Sequence, residues 1–413
     1  MIWLSVIGAV VGAWLALEAL AFALVRWHRP FFPWLITPAD SAPVIDEAVV
    51  AAHRDRSFDP DLGWCRRPGE HATEHTDDGD VTFRTDALAR RANPGHEDTP
   101  ATVACFGDSF TFCRLVDDDH TWPHHLTRLT GEVTANYGVG GYGLDQALLR
   151  LERELPRLGC RTVIMGVVPE TMARVHSAWK HYFEYGNTLA FKPRFTLERD
   201  GSGLRHHPPA VTSPEGYRGY QAQLPAVQAL DPFYRAKFRR DLLAFPYTPR
   251  LLARARRILP ILAELTVFRA MRRPETAFRR AFATVLTENN RASNRLYHDS
   301  GATDLLRALV VRFADTCRDA GAQPLLVILP QPGDLRNDRT ARTRARFFAS
   351  LEEVLPVVDV TETFRTHPDP ARLYAGGRLG PHASDAGNQL VAAAVAARLA
   401  TLPTVAALSK EPR

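Results

Sequence analysis

Residues 102–112 read Thr-Val-Ala-Cys-Phe-Gly-Asp-Ser-Phe-Thr-Phe. The run 102–106 is uncharged and apolar, it ends on Gly107-Asp108-Ser109-Phe110, and a helical stretch follows. That order reads as a buried strand delivering a serine to the C-terminal end of a parallel sheet, where open α/β sheets hold their ligands. On its own the Gly-Asp-Ser tripeptide is weak, since a chain of this length shows it by chance about one time in ten. The plain alternative for Ser109 is a residue capping a strand-to-helix turn.

Working outward, apolar runs at 133–139 and 162–168 enclose an amphipathic stretch, 146–158, whose Leu148, Leu149, Leu151, Leu155 and Leu158 fall mostly on one face. The same alternation returns near the C-terminus: helical 304–320, strand-like 324–329, helical 339–353, strand-like 357–360 and helical 385–399. Strands alternating with helices imply a parallel sheet covered on both faces, here five-stranded and three-layered, α/β/α. The expected organisation is an anchor at 1–28, a membrane-proximal linker and small cap at 29–100, a core from 101–170 and 301–405, and a basic helical insertion at 171–300.

The anchor rests on residues 2–25, an almost unbroken apolar stretch with Trp27 and Trp34 where an interfacial belt would lie. A signal peptide is the rival, but no Lys or Arg precedes the apolar core and no small-residue cleavage site follows it. Glu18 interrupts the stretch and needs a partner or a boundary. Lys and Arg total 51 against 46 Asp and Glu, too small a surplus to argue for nucleic acid. Five scattered cysteines without paired spacing suggest neither a zinc site nor a disulfide framework. Within the insertion, 235–280 is dense in arginine (Arg239, Arg240, Arg254, Arg256, Arg257 and onward to Arg280) interleaved with apolar residues. It reads either as a basic amphipathic surface for anionic lipid or as the solvated faces of ordinary helices.

Three blocks bear a resemblance to the SGNH (GDSL-like) hydrolases. Residues 105–112, Cys-Phe-Gly-Asp-Ser-Phe-Thr-Phe, look like the first block, and 136–143, Asn-Tyr-Gly-Val-Gly-Gly-Tyr-Gly, like the second. Residues 380–387, Gly-Pro-His-Ala-Ser-Asp-Ala-Gly, are similar to the fourth, and 61–64 loosely match a segment of anchored members. The resemblance covers about 100–170 and 320–400 and implies a flavodoxin-like sheet. It also implies Ser109 as nucleophile, His382 as general base, and the N–H groups of Ser109 and Gly141 as oxyanion donors. The residue types suit acyl transfer, because a serine hydroxyl attacks well only when an imidazole takes its proton and N–H donors receive the oxyanion. No cofactor is implied. The substrates implied are ester-bearing lipids, glycans or small molecules, with transfer to a sugar hydroxyl and a purely binding role as the alternatives to hydrolysis.

Two positions depart from the family pattern. Glu170 stands where the third block carries an oxyanion-donating Asn, and an ionised carboxylate cannot donate. The acid that ordinarily precedes the histidine falls on Leu379 or Gly380, leaving Asp385 and Asp359 as candidates to orient His382, with a Ser-His dyad or a backbone carbonyl as alternatives. Residues 71–75, His-Ala-Thr-Glu-His, match an H-x-x-E-H zinc pattern, but the Pro, Gly and Asp around them predict a loop or edge strand rather than the helix that pattern needs, so no metal is expected. Family resemblance implies a soluble part outside the cytoplasm, whereas Arg26 and Arg29 favour the opposite orientation; the expectation follows the resemblance.

Overall fold

The computed structural model describes residues 2–198, 203–378 and 380–402; Leu379 and the last three residues of the expected 301–405 segment lie outside them. The chain builds two compact units, each from three separate stretches. One takes residues up to 50, 177–191 and 215–289, and the other takes 51–176, 192–214 and 290 onward.

The second unit holds the sheet. Its strands are β1 (Val103–Gly107), β2 (Thr134–Asn136), β3 (Thr162–Val167), β4 (Gln323–Ile328) and β5 (Val357–Asp359). All are parallel, in the order β2-β1-β3-β4-β5, which is the flavodoxin-like arrangement. Successive side chains divide between two cores, as the pleat demands. Ala104, Phe106, Val163, Met165, Leu326 and Ile328 pack toward helices Leu144–Glu154 and Ser300–Asp319. Val103, Cys105, Ile164, Leu325 and Val327 pack on the other face, with helices Trp122–Thr130 and Asp385–Leu399. The apolar run 133–139 yields a strand of only three residues, because beyond Asn136 the chain must turn: an added Cβ on Gly138 would lie 2.2 Å from the Phe112 nitrogen. The backbone still donates from Tyr137 to the Cys105 carbonyl and from Val139 to the Gly107 carbonyl, so the loop stays fastened to β1.

The first unit is helical. Its N-terminal helix, Ile2–His28, is long and apolar enough to cross a membrane. Trp3 to Leu17 are exposed on every side, whereas Glu18, Ala21, Val25 and His28 form a buried stripe at helical spacing. Ala21 and Val25 join Phe32, Leu35, Ile258, Ile261, Leu265 and Phe278 in one core. Several arginines of the basic stretch are bound within this unit. Arg254 pairs with the buried Asp241 at 2.5 Å and Arg280 with Glu264 at 2.7 Å, and Arg269 donates to the Trp27 carbonyl.

Candidate active site

The sheet's C-terminal edge places Ser109. Gly107 ends β1 at φ +154°, and a Cβ there would stand 2.0 Å from the Gly166 carbonyl oxygen of β3, so only glycine lets the two strands close up. Asp108 then caps the turn Ser109–Phe112: its Oδ1 accepts from the Phe110 N–H at 2.8 Å and its Oδ2 from the Val168 N–H at 3.0 Å. Ser109 is thereby held at the first position of a helical turn.

His382 arrives from the far end of the sequence on a two-residue strand paired with Tyr374–Ala375, just before Ser384 caps helix Asp385–Leu399. Its Nε2 lies 2.9 Å from Ser109 Oγ, a hydrogen bond across 273 positions, and its ring lies against Phe110. Burial, then Arg114 and Arg174, push the imidazole down to about 3, although the Gly380 backbone favours the charged form. At neutral pH the ring is uncharged and able to accept a proton. Its buried Nδ1 makes no hydrogen bond of acceptable geometry to any described residue.

Neither candidate acid reaches that nitrogen. Asp385 Oδ1 lies 2.7 Å from His125 Nε2 and its Oδ2 accepts from Gln389, while Asp359 accepts from the Thr361 N–H beyond the end of β5. Glu170, buried at the start of the turn Thr171–Arg174, forms an ion pair with Arg174 at 2.8 Å. The Arg174 guanidinium also donates to the Tyr142 carbonyl at 3.2 Å and reaches Asp108 Oδ2 at 3.4 Å. The Glu170 carboxylate is therefore accompanied by a cation from the next turn. The spacing of four residues between Glu170 and Arg174 was readable in the sequence as a helical ion pair.

Gly141, with φ +79°, belongs to the loop that follows β2. An added Cβ on its neighbour Gly140 would come 4.0 Å from Ser109 Cβ, so this loop flanks the serine. Trp64 ties it down: Nε1 donates to the Gly140 carbonyl at 2.9 Å, and Tyr142 donates its hydroxyl back to the Trp64 carbonyl at 2.5 Å. The backbone N–H groups of Ser109 and Gly141 donate to no described protein acceptor.

The H-x-x-E-H stretch forms strand His71–Thr76 of an antiparallel hairpin with Gly79–Arg84. A strand cannot bring its two imidazoles together as a helix would. His75 instead meets Asp80 at 2.6 Å, and Glu74 pairs with Arg114 at 2.5 Å. The hairpin also touches the histidine segment, where the Asp77 N–H donates to the Gly376 carbonyl. Among the described residues no group of three or more His, Cys, Asp or Glu could hold a metal ion.

No family model and no curated protein matches the chain. Among solved structures it is similar to a protein named for the lipolytic G-D-S-L family, from Desulfitobacterium hafniense DCB-2. That match covers 72% of this chain and 98% of the other at 10% identity, with a TM-score of 0.29. So loose an overlap carries no argument about activity.

Proposed function

We propose that the second unit is a serine hydrolase acting on ester bonds through an acyl-Ser109 intermediate. The observation that carries this reading is the 2.9 Å contact between His382 Nε2 and Ser109 Oγ at the C-terminal edge of the sheet. His382, neutral because it is buried, takes the hydroxyl proton as Ser109 Oγ bonds to the acyl carbon. The N–H groups of Ser109 and Gly141 receive the oxyanion, and the protonated imidazole gives its proton to the leaving alcohol. Water, activated by the same imidazole, then releases the acid and restores Ser109. With Asp385 and Asp359 held elsewhere, the pair works as a dyad, and the Gly380 backbone is the influence that favours the imidazolium. The substrate class is an ester-bearing lipid, glycan or small molecule. The N-terminal helix acts as a membrane anchor, and the soluble part is assigned to the extracytoplasmic side.

A retained anchor is favoured over a cleaved leader by the stripe Glu18, Ala21, Val25 and His28, which is part of the first unit's interior. The test is fluorophosphonate labelling of the full-length chain in detergent, comparing the parent with Ser109→Ala and His382→Ala. Labelling lost in both variants while they remain folded supports the activated serine. An unlabelled, folded parent overturns it and favours a binding role.

A further inference from the structure

Glu18 lies within an apolar helix, where a lone carboxylate is costly. Its oxygens accept from the backbone N–H groups of Tyr247 at 2.5 Å and Thr248 at 2.7 Å, the opening residues of helix Tyr247–Ala253. The same stretch continues down the N-terminal helix: the Tyr247 ring lies 5.8 Å from Phe22 and the Phe245 ring 6.0 Å from Trp14. Trp14 is twelve positions before Arg26, the first cation after the apolar run, which is about 18 Å of helix. Phe245 at this level is 65% exposed, and Leu252 and Leu259 nearby are 67% and 48% exposed.

We infer that residues 243–252 enter the hydrocarbon of the bilayer beside the N-terminal helix and return, so that the protein's membrane contact is a helix plus a re-entrant segment. This rests on the reading of Ile2–His28 as a retained anchor. The partner is the lipid acyl region itself, argued from depth: whatever surrounds Trp14 surrounds Phe245. Non-helical backbone survives at that depth only if its polar groups are satisfied inside the protein. Glu18 does so for the first two N–H groups of the turn, which gives the buried carboxylate its purpose. Elsewhere the Leu243 N–H donates to the Ile36 carbonyl at 2.8 Å, and Arg250 donates to the Leu242 carbonyl. Of the arginines next in sequence, Arg254 is held on Asp241 and Arg257 on the Trp34 carbonyl, while Arg256 is exposed. The large apolar side chains left exposed here are Phe245, Leu252 and Leu259.

The experiment uses the full chain in phosphatidylcholine/phosphatidylglycerol nanodiscs, open to solvent on both sides, with single substitutions Phe245→Cys, Leu252→Cys, Leu15→Cys and Asp78→Cys. Modification by a bulky hydrophilic maleimide is timed against the parent chain. We expect Phe245→Cys, Leu252→Cys and Leu15→Cys to react at least tenfold more slowly than Asp78→Cys, with all four reacting fully in SDS. Fast modification at 245 and 252 with Leu15→Cys protected overturns the re-entrant segment and leaves the anchor standing. Fast modification at all three overturns both. A second copy of the chain as the covering partner would protect 245 only when discs hold two chains, so loss of protection at one chain per disc also overturns the inference.

Discussion

In the proposed mechanism His382 carries two opposing demands: to stay neutral so as to accept the Ser109 proton, and to bear that proton for part of each turnover. Burial, Arg114 and Arg174 settle the first by holding its pKa near 3. If it is the base, the rate of fluorophosphonate labelling should stay flat from pH 8 to 5 rather than falling through the ordinary histidine value of about 6.5. Arg114→Gln removes a cation that disfavours the imidazolium, so the acid limb of that profile should move to higher pH; a limb that stays put removes Arg114 from the account. Arg174 is the other decisive side chain, because it serves Asp108, Glu170 and the Tyr142 carbonyl from one buried position. Arg174→Met takes the cation from two buried carboxylates and should cost roughly 3 kcal/mol, read as a lowered denaturation midpoint. That Ser109 and His382 would come together was legible only through the resemblance of 105–112 and 380–387 to known blocks, and the structure brings the two side chains to 2.9 Å. The engagement of Asp385 by His125 was not legible, because side-chain pairing across 260 positions leaves no local pattern.

At the scale of elements, the loop after β2 is held at both ends by side chains from other parts of the second unit. Trp64→Phe keeps a smaller aromatic ring at this position and deletes the indole N–H that donates to the Gly140 carbonyl. It should destabilise the fold by only about 1 kcal/mol yet slow labelling of Ser109 severalfold, since the loop carrying Gly141 loses its tether. Equal labelling rates for parent and variant would mean the tether has no bearing on the serine. The helices and strands themselves were readable. Continuous apolar runs gave all five strands to within a few residues, and helix Asp385–Leu399 has the limits read for it from the sequence. Residues 133–139 mark where that reasoning fails: an apolar run stops being a strand where Gly138 must lie against the Phe112 backbone, a contact made by tertiary packing. In the basic stretch, charge counted along the sequence does not show which arginines are paired, and the structure places Arg254 on Asp241 and Arg280 on Glu264.

Across the whole molecule, buried histidines set the response to acid. His176 and His382 in the second unit and His181 in the first are pushed down to about 4, 3 and 4, in each case chiefly by burial. Above pH 6.5 both folded and unfolded chains hold these rings neutral; below it the unfolded chain takes up protons that the folded one refuses, so stability falls as pH drops from 6.5 toward 4. Asp108 and Asp145, raised by burial, act in the opposite sense. Thermal melts at pH 7.5, 6.0 and 5.0 should show a steady decline, and a midpoint unchanged over that range would contradict the assignment. The pairing of β3 with β4, Thr162 opposite Gln323 through Val167 opposite Ile328, has a consequence for synthesis. A ribosome adding roughly 5–20 residues per second needs on the order of ten to thirty seconds between finishing one strand and finishing the other. For that interval the nascent sheet ends at β3, with an open, apolar edge and no partner yet made, and the stretches 177–191 and 215–289 emerge while that edge is still waiting.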